Sequence, residues 1–393
     1  MSVTLFSFLR LRADLYRYLV SAFCFRIGFL MSIGLIMTSA ANASERCVEP
    51  VFGVADIVID QTADNANAAR TKGMRLAAER AFTIVLDRLL MAPERRDAFL
   101  QKHDLDEFTD FVHIIEENNL PKRYIGRLDF CFDAQRLRTA LKQANLRWSE
   151  LQSPPILVVP VWNGTDGARA WQLKNKWIGA WHQFVGNNTG LVSFRILRPT
   201  LYRERRLRAE DLSAANQQHL ASAAVLAEAQ QVLLVIANED YEGSTRLIDV
   251  SADLYDSDGK YLSAVFKHGK SAIGKVAGKN DLATIVNRHI VSIAKSMEEG
   301  WHAANLMGDP VSSRLTVEVP IDTLTDWASR LQTLRAIAVI DKMEIHKLDI
   351  TSAIISLQLV GPVTALENAL AVHNLQLRMK DDGLPVLTVA QGN

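Results

Sequence analysis

The stretch Gly269-Lys-Ser-Ala-Ile-Gly274-Lys275 has the glycine and lysine spacing of a loop that cradles phosphate. Such a loop needs a Ser or Thr hydroxyl after the lysine to hold magnesium, and a buried parallel strand feeding it. The next residue here is Val276, and the segment follows an antiparallel hairpin signal, so no nucleotide is expected. Asp256-Ser-Asp258-Gly259 begins like a calcium loop but lacks the later acidic ligands, and a turn accounts for it better. The nine histidines form no His-Glu-x-x-His pattern and no pair four residues apart; His289 reads as a packed or solvated helix residue. No Gly-x-Ser-x-Gly elbow occurs. No catalytic constellation, metal set or cofactor is therefore expected. The rival reading is an envelope hydrolase whose site assembles from distant residues, with acidic groups around His182 or His219.

Two clusters point to binding rather than catalysis. Trp162, Trp171, Trp177 and Trp181 are four of the seven tryptophans. They read either as aromatic packing of a helix on a sheet or as a groove for a peptide or glycan, with Trp162 and Trp171 at its lip. Arg198, Arg203, Arg205, Arg206 and Arg208 form a basic run. It suits a solvated face, and Arg203, Arg205 and Arg206 are the candidates for contact with an anionic envelope component or acidic partner.

Composition limits the alternatives. Lys plus Arg equals Asp plus Glu at 44 each, which argues against a dedicated nucleic-acid binder, since phosphate contacts need a basic surplus. The 48% hydrophobic and 22% charged residues are those of a folded globular protein. At 393 residues the chain is too long for one ordinary core and predicts two or three domains.

The elements that must position these residues are legible in outline. A strand over 52–60, a helix capped by Thr62 or Asp64 and ended by Pro93, a hairpin of 111–117 with 124–132 turning at 118–121, and a helix capped by Asp133 make a β-α-β-β-α domain, 45–147. Ser153-Pro-Pro-Ile-Leu-Val-Val-Pro-Val-Trp162 follows, a buried strand that opens a mixed α/β middle domain, 153–307. Asn163-Gly164 predicts a turn, Trp177 and Trp181 share a helix face, and Asp256 to Lys260 joins two strands with Gly259 at the left-handed position. A helix over 281–305 closes that domain. The remainder, 312–390, reads as βαββαβ, a ferredoxin-like unit with its last strand near 375–378 or 386–389. The fold class is thus α+β and α/β, multidomain.

Arg10, Arg12, Arg17 and Arg26 precede the apolar run Ile27 to Met37, which ends in Ala41-Asn-Ala43. This is the tripartite form of a secretory signal, 1–43, cleaved after Ala43. An uncleaved inner-membrane anchor is the alternative. Cleavage removes Cys24 and leaves Cys47 and Cys131, an even pair in an oxidising compartment. If the first strand lies antiparallel beside 124–132, the two cysteines are neighbours and form a disulfide.

Phe52-Gly-Val-Ala-Asp-Ile-Val, Arg123-Tyr-Ile-Gly-Arg-Leu and the Pro-Pro strand with its downstream tryptophans resemble the uncharacterised bacterial envelope family known as domain of unknown function 2066, over roughly residues 45–300. In architecture the chain is more loosely similar to the flagellar assembly protein T family and to the TolB amino-terminal domain. These resemblances imply an exported envelope protein, periplasmic, without a known activity and with no functional residues to transfer. The expected role is a non-enzymatic adaptor or assembly factor with an envelope protein as partner, and peptidoglycan or membrane-surface contact as a further option. Oligomeric state is left open.

Overall fold

The structure, a computed structural model, describes residues 47–172, 175–274, 281–308, 313–380 and 383–390. The expected leader, its cleavage point, and Lys275 with Val276 lie outside them. The described residues form the expected mixed, multidomain α+β arrangement, built on three sheets.

The first sheet is antiparallel in the order β1-β3-β2, from β1 (Gly53–Thr62), β2 (Thr109–Leu120) and β3 (Arg123–Phe132). Helix α1 (Ala66–Leu90) covers one face. Its buried line begins with Ala69, Gly73, Ala77 and Ala81, small residues four apart that let the helix approach the sheet closely. A Cβ on Gly73 would lie 2.7 Å from the Tyr124 ring. Phe82, Val85, Leu86 and Leu89 then fill the wider end.

Three local expectations change here. The cap of α1 is Asn65, not Thr62 or Asp64, because its side chain accepts from the Ala68 amide. Pro93 does not end α1; left-handed Met91 follows its last residue, and Pro93 opens α2 (Pro93–Leu100), where a missing N–H costs nothing. The hairpin turn shrinks to Pro121 and Lys122, since Asn118 and Asn119 pair with Ile125 and Tyr124 in the ladder. Asp133 caps α3 (Ala134–Gln143) as expected.

The second sheet runs β5-β4-β7-β8-β9, from β4 (Ile156–Gly164), β5 (Gly167–Arg169), β7 (Gln231–Glu242), β8 (Thr245–Asp256) and β9 (Tyr261–Ala272), with β6 (Phe194–Ile196) also on β4. β4 is parallel to β6 and β7. Helices α4 (Lys176–Asn187) and α8 (Leu282–Ala304) cover one face; α6 (Ala209–Ser213) and α7 (Gln217–Ala227) cover the other, with the short α5 (Leu201–Arg206) contributing no buried residue. Burial on both sides explains the continuous apolar run of β4: Ile156 and Val158 enter one core, Leu157, Val159 and Val161 the other. Asn163 and Gly164 stay in strand, so the turn falls one step later. Gly259 has φ 75° in the β8–β9 turn, as its sequence predicts.

The third sheet, in the order β11-β12-β10-β14-β13, comprises β10 (Ser313–Pro320), β11 (Ile340–Leu348), β12 (Ser352–Leu359), β13 (Leu375–Met379) and β14 (Pro385–Val389), with α9 (Leu324–Ala336) and α10 (Val363–Val372). Both candidates for the closing strand form. They pair as a hairpin, and β14 lies parallel to β10, between it and β13. The unit is therefore ferredoxin-like with one strand added inside the sheet.

A polar junction joins the three sheets along α8. Trp148 and Met307 exchange backbone hydrogen bonds at 3.1 and 2.7 Å. The indole of Trp301 donates to the Leu151 carbonyl, and Glu298 accepts from the amides of Leu191 and Val192 at 3.1 and 2.9 Å. Asn368 of α10 donates to Asn305 at 3.0 Å, and the Gly308 amide donates to Val360. One apolar core is continuous from the first sheet to the third.

Candidate functional site

The four tryptophans do not share a groove. Trp177 and Trp181 lie on the inner face of α4, edge to face at 6.0 Å, both essentially without solvent contact. Their apolar area seats the helix on the sheet. Trp171 is buried against the opposite core, its indole donating to the Leu207 carbonyl at 2.8 Å. The binding role expected of Trp171 and Trp181 is thereby corrected to core packing, because β4 separates the two layers they occupy.

Trp162 is different. It is half-buried at the carboxyl end of β4, where it borders a cleft of about 270 Å³ with Arg169, Asn175, Lys176, Arg246, Leu282 and the edge of Trp177. Carboxyl ends of parallel strands are where open α/β sheets gather ligands. The first turns of α4 and α8 also border this cleft, and helix N-termini favour anions. Two of its cations are already engaged: Arg169 with Asp166 at 2.9 Å, Arg246 with Glu239. Burial pushes the Glu239 carboxyl up, but hydrogen bonds from Arg246 and Tyr241 outweigh this and hold it below its ordinary value. Lys176 is exposed. The cleft thus sets an exposed cation beside an aromatic face, with the N-termini of α4 and α8 capped by Asn175 and Asp281. Trp162 was legible in sequence; Arg246, from the next hairpin, was not.

A larger cleft, about 550 Å³, lies between β1 and the 187–191 loop, with Val51, Asp56 and Arg88 in its wall. Arg88 donates to the carbonyls of Thr189 at 2.6 Å, Gly53 at 3.1 Å and Val51. Burial lowers its pKa to about 10, with Glu298 opposing. Burial raises the Glu298 carboxyl, against the pull of its two amide donors and Arg88. These groups hold backbone and do not converge on a reaction centre.

Cys47 and Cys131 are bonded, with Cα atoms 5.7 Å apart. The strand register expected from sequence brings them together: Gly53 of β1 faces Cys131 of β3. A Cβ at position 53 would fall 2.5 Å from the Cys47 sulfur, so glycine is required there. Beside them Arg138 bridges Glu150 and Glu49. Burial works against its charge, but the two carboxylates prevail and raise its pKa above the usual arginine value.

In the basic run, Arg203 is half-buried and donates to the carbonyl of exposed Arg198. Arg205 and Arg206 remain exposed. The phosphate-loop spacing has no loop behind it, since Gly269 to Ala272 are part of β9, antiparallel to β8. Asp256 accepts from the amides of Asp258 and Lys260, a turn rather than a calcium loop. His219 pairs with Asp211 at 3.3 Å, which Arg208 also holds, and His182 lies on α4 with its pKa lowered by burial. Among the described residues no group of three His, Cys, Asp or Glu could hold a metal, and no helix is long and apolar enough to cross a membrane.

Fold and site together define a disulfide-bonded, multidomain α+β protein with clefts and surfaces suited to binding. No family model matches the chain, and no curated protein does. Among solved structures it is similar to lipoprotein GNA1162 from Neisseria meningitidis, at 14% identity and TM-score 0.23, over 37% of this chain and 96% of that one.

Proposed function

We propose that the protein is a non-enzymatic adaptor or assembly factor of the bacterial envelope, exported to the periplasm and related to the domain of unknown function 2066 family. The observation that carries this reading is the junction along α8. It ties three sheets into one framework while their outer strands β2, β9 and β11 have no neighbour on one side among the described residues. Such edges accept an added strand from a partner. The disulfide supports an oxidising compartment. Crosslinking of the native protein in its envelope, followed by mass spectrometry, tests the role. Reproducible recovery of specific protein partners through these edges is the expected result; no specific partner, with turnover of an envelope substrate by the purified chain, would favour a hydrolase instead.

The Trp162 cleft favours a second reading, a module that binds a peptide end or acidic glycan. Loss of binding on Trp162→Ala, with unchanged thermal stability, is its test.

A further inference from the structure

We infer that helix α5 and the basic residues around it form a docking face for an anionic lipid surface. Leu201 and Tyr202 open this short helix at 72% and 61% exposure, values at odds with side chains that normally seek cover. Single exposed apolar residues need no explanation, but these two are adjacent and lead directly into charge. Arg205 and Arg206 follow each of them by four positions, so Leu201 with Arg205 and Tyr202 with Arg206 share one side of the helix. Both arginines are exposed, and neither side chain has an ion-pair or hydrogen-bond partner among the described residues. Arg198, just before the helix, is exposed as well.

The opposite side of α5 fixes it to the fold. Arg203 donates to the Arg198 carbonyl, Glu204 reaches Gln172 at 3.4 Å, and Leu207 is buried in the core beneath. Leu201, Tyr202 and Arg206 are thus exposed on a held backbone, and Arg205, exposed as well, borders a shallow cleft with Glu204 and Glu210 without pairing to either. The acids nearby do not cancel them: Asp211 is engaged by Arg208 and His219, and Glu204 faces inward. Glu210 is the remaining exposed acid on this stretch. The same helical layer carries Val225 and Leu226, exposed at 75% and 40%, on α7. Arg195, on the strand that runs into Arg198, donates to the carbonyls of Ala227 and Glu228 at the end of α7 and so ties that end to this region.

Leucine and tyrosine immersed at the headgroup boundary, with guanidinium groups on phosphates, is the chemistry of peripheral attachment to an anionic bilayer. What favours the bilayer is that two exposed apolar residues stand four positions before two arginines without partners among the described residues, so each pair on the helix sets an apolar group beside a cation. The inference extends the adaptor reading by naming the surface on which the adaptor rests.

Sedimentation with phosphatidylcholine vesicles, with and without phosphatidylglycerol, tests it. The chain is purified in the form the cell leaves it, and each variant is compared with the parent, so other segments contribute equally to both. The parent is expected to partition selectively to the anionic vesicles. Leu201→Ser with Tyr202→Ser, and separately Arg205→Glu with Arg206→Glu, should each lower the partition coefficient by about tenfold or more. Both pairs are exposed, so unfolding temperatures should match the parent. Equal partition of parent and variants overturns the inference. So does a loss confined to the arginine variant, which would assign the patch to an acidic protein. Partner crosslinking uses neither vesicles nor these variants, so the adaptor reading stands or falls separately.

Discussion

The imidazole Nε2 of His302, near the end of α8, donates to the backbone carbonyl of Leu89, in the last turn of α1, at 2.7 Å. The bond crosses from the middle domain to the first. It requires a proton on Nε2, which the neutral Nε2–H tautomer and the imidazolium both carry, because a carbonyl only accepts. Burial holds the His302 pKa below its ordinary 6.5, with Leu89 opposing.

That shift has a definite sign. The folded chain binds fewer protons than the unfolded chain below about pH 6.5, so the stability due to neutral His302 is complete above that value and is lost as pH falls from it through the lower folded value. His182 acts in the same sense. Glu298, raised in the fold, acts in the opposite sense, losing stability as pH rises from its ordinary 4.5 through its folded value. His302 is therefore read as a difference. Thermal unfolding of His302→Gln, which keeps a donor to Leu89 but does not titrate, should fall less steeply than the parent between about pH 7 and 5. Parallel curves would refute the assignment.

Some of this was legible in the sequence for stated reasons. The β8–β9 turn and the apolar run of β4 follow local rules: Gly259 takes φ 75°, and alternate β4 residues enter two cores. Local rules could not locate the tryptophans. Trp171 and Trp181 are ten positions apart in sequence but on opposite sides of a sheet in which β4 comes before them and β6 to β9 come after. Residues 386–389 read as a strand in the sequence, but their place between β10 and β13 did not, because parallel pairing with β10 depends on contacts across the whole unit. The α8 junction consists of single hydrogen bonds between distant residues, for which sequence carries no periodic signal.

Replacing Cys47 and Cys131 by Ala should reduce stability by about 2 to 5 kcal/mol, as expected for closing a long loop in a small disulfide-tied domain. Urea unfolding of the oxidised parent and the double variant measures it. Reductant should move the parent toward the variant and leave the variant unchanged. A parent insensitive to reductant would mean that the bond does not constrain the fold.

Gly259→Ala tests the middle domain at one point. Its φ of 75° is costly for alanine, and the new Cβ would lie 2.3 Å from the Gln217 carbonyl oxygen at the start of α7. Strain and clash both act, and backbone rather than a mobile side chain must yield. The expected loss is on the order of 2 kcal/mol or more. Gly243, also at positive φ but with open space around its position, should lose less on the same substitution. Equal effects at the two glycines would show that the contact with α7 is not tight.

Three tryptophan substitutions separate packing from surface. Trp181 has no solvent contact and packs edge to face on Trp177 and Phe184, so Trp181→Ala removes a large side chain whose space the flanking helix and sheet cannot fill. A loss of about 3 to 5 kcal/mol is expected, and Trp171→Ala should match it, with an added cost for the unpaired Leu207 carbonyl. Trp162 is half-buried beside Arg246, whose guanidinium lies 5.9 Å from its ring. Truncation there opens the cleft rather than a closed cavity, and water can enter, so the loss should stay near 1 kcal/mol. Denaturant unfolding of all three variants decides it. A Trp162 variant as unstable as Trp181→Ala would make Trp162 a core residue and remove the aromatic wall from the cleft.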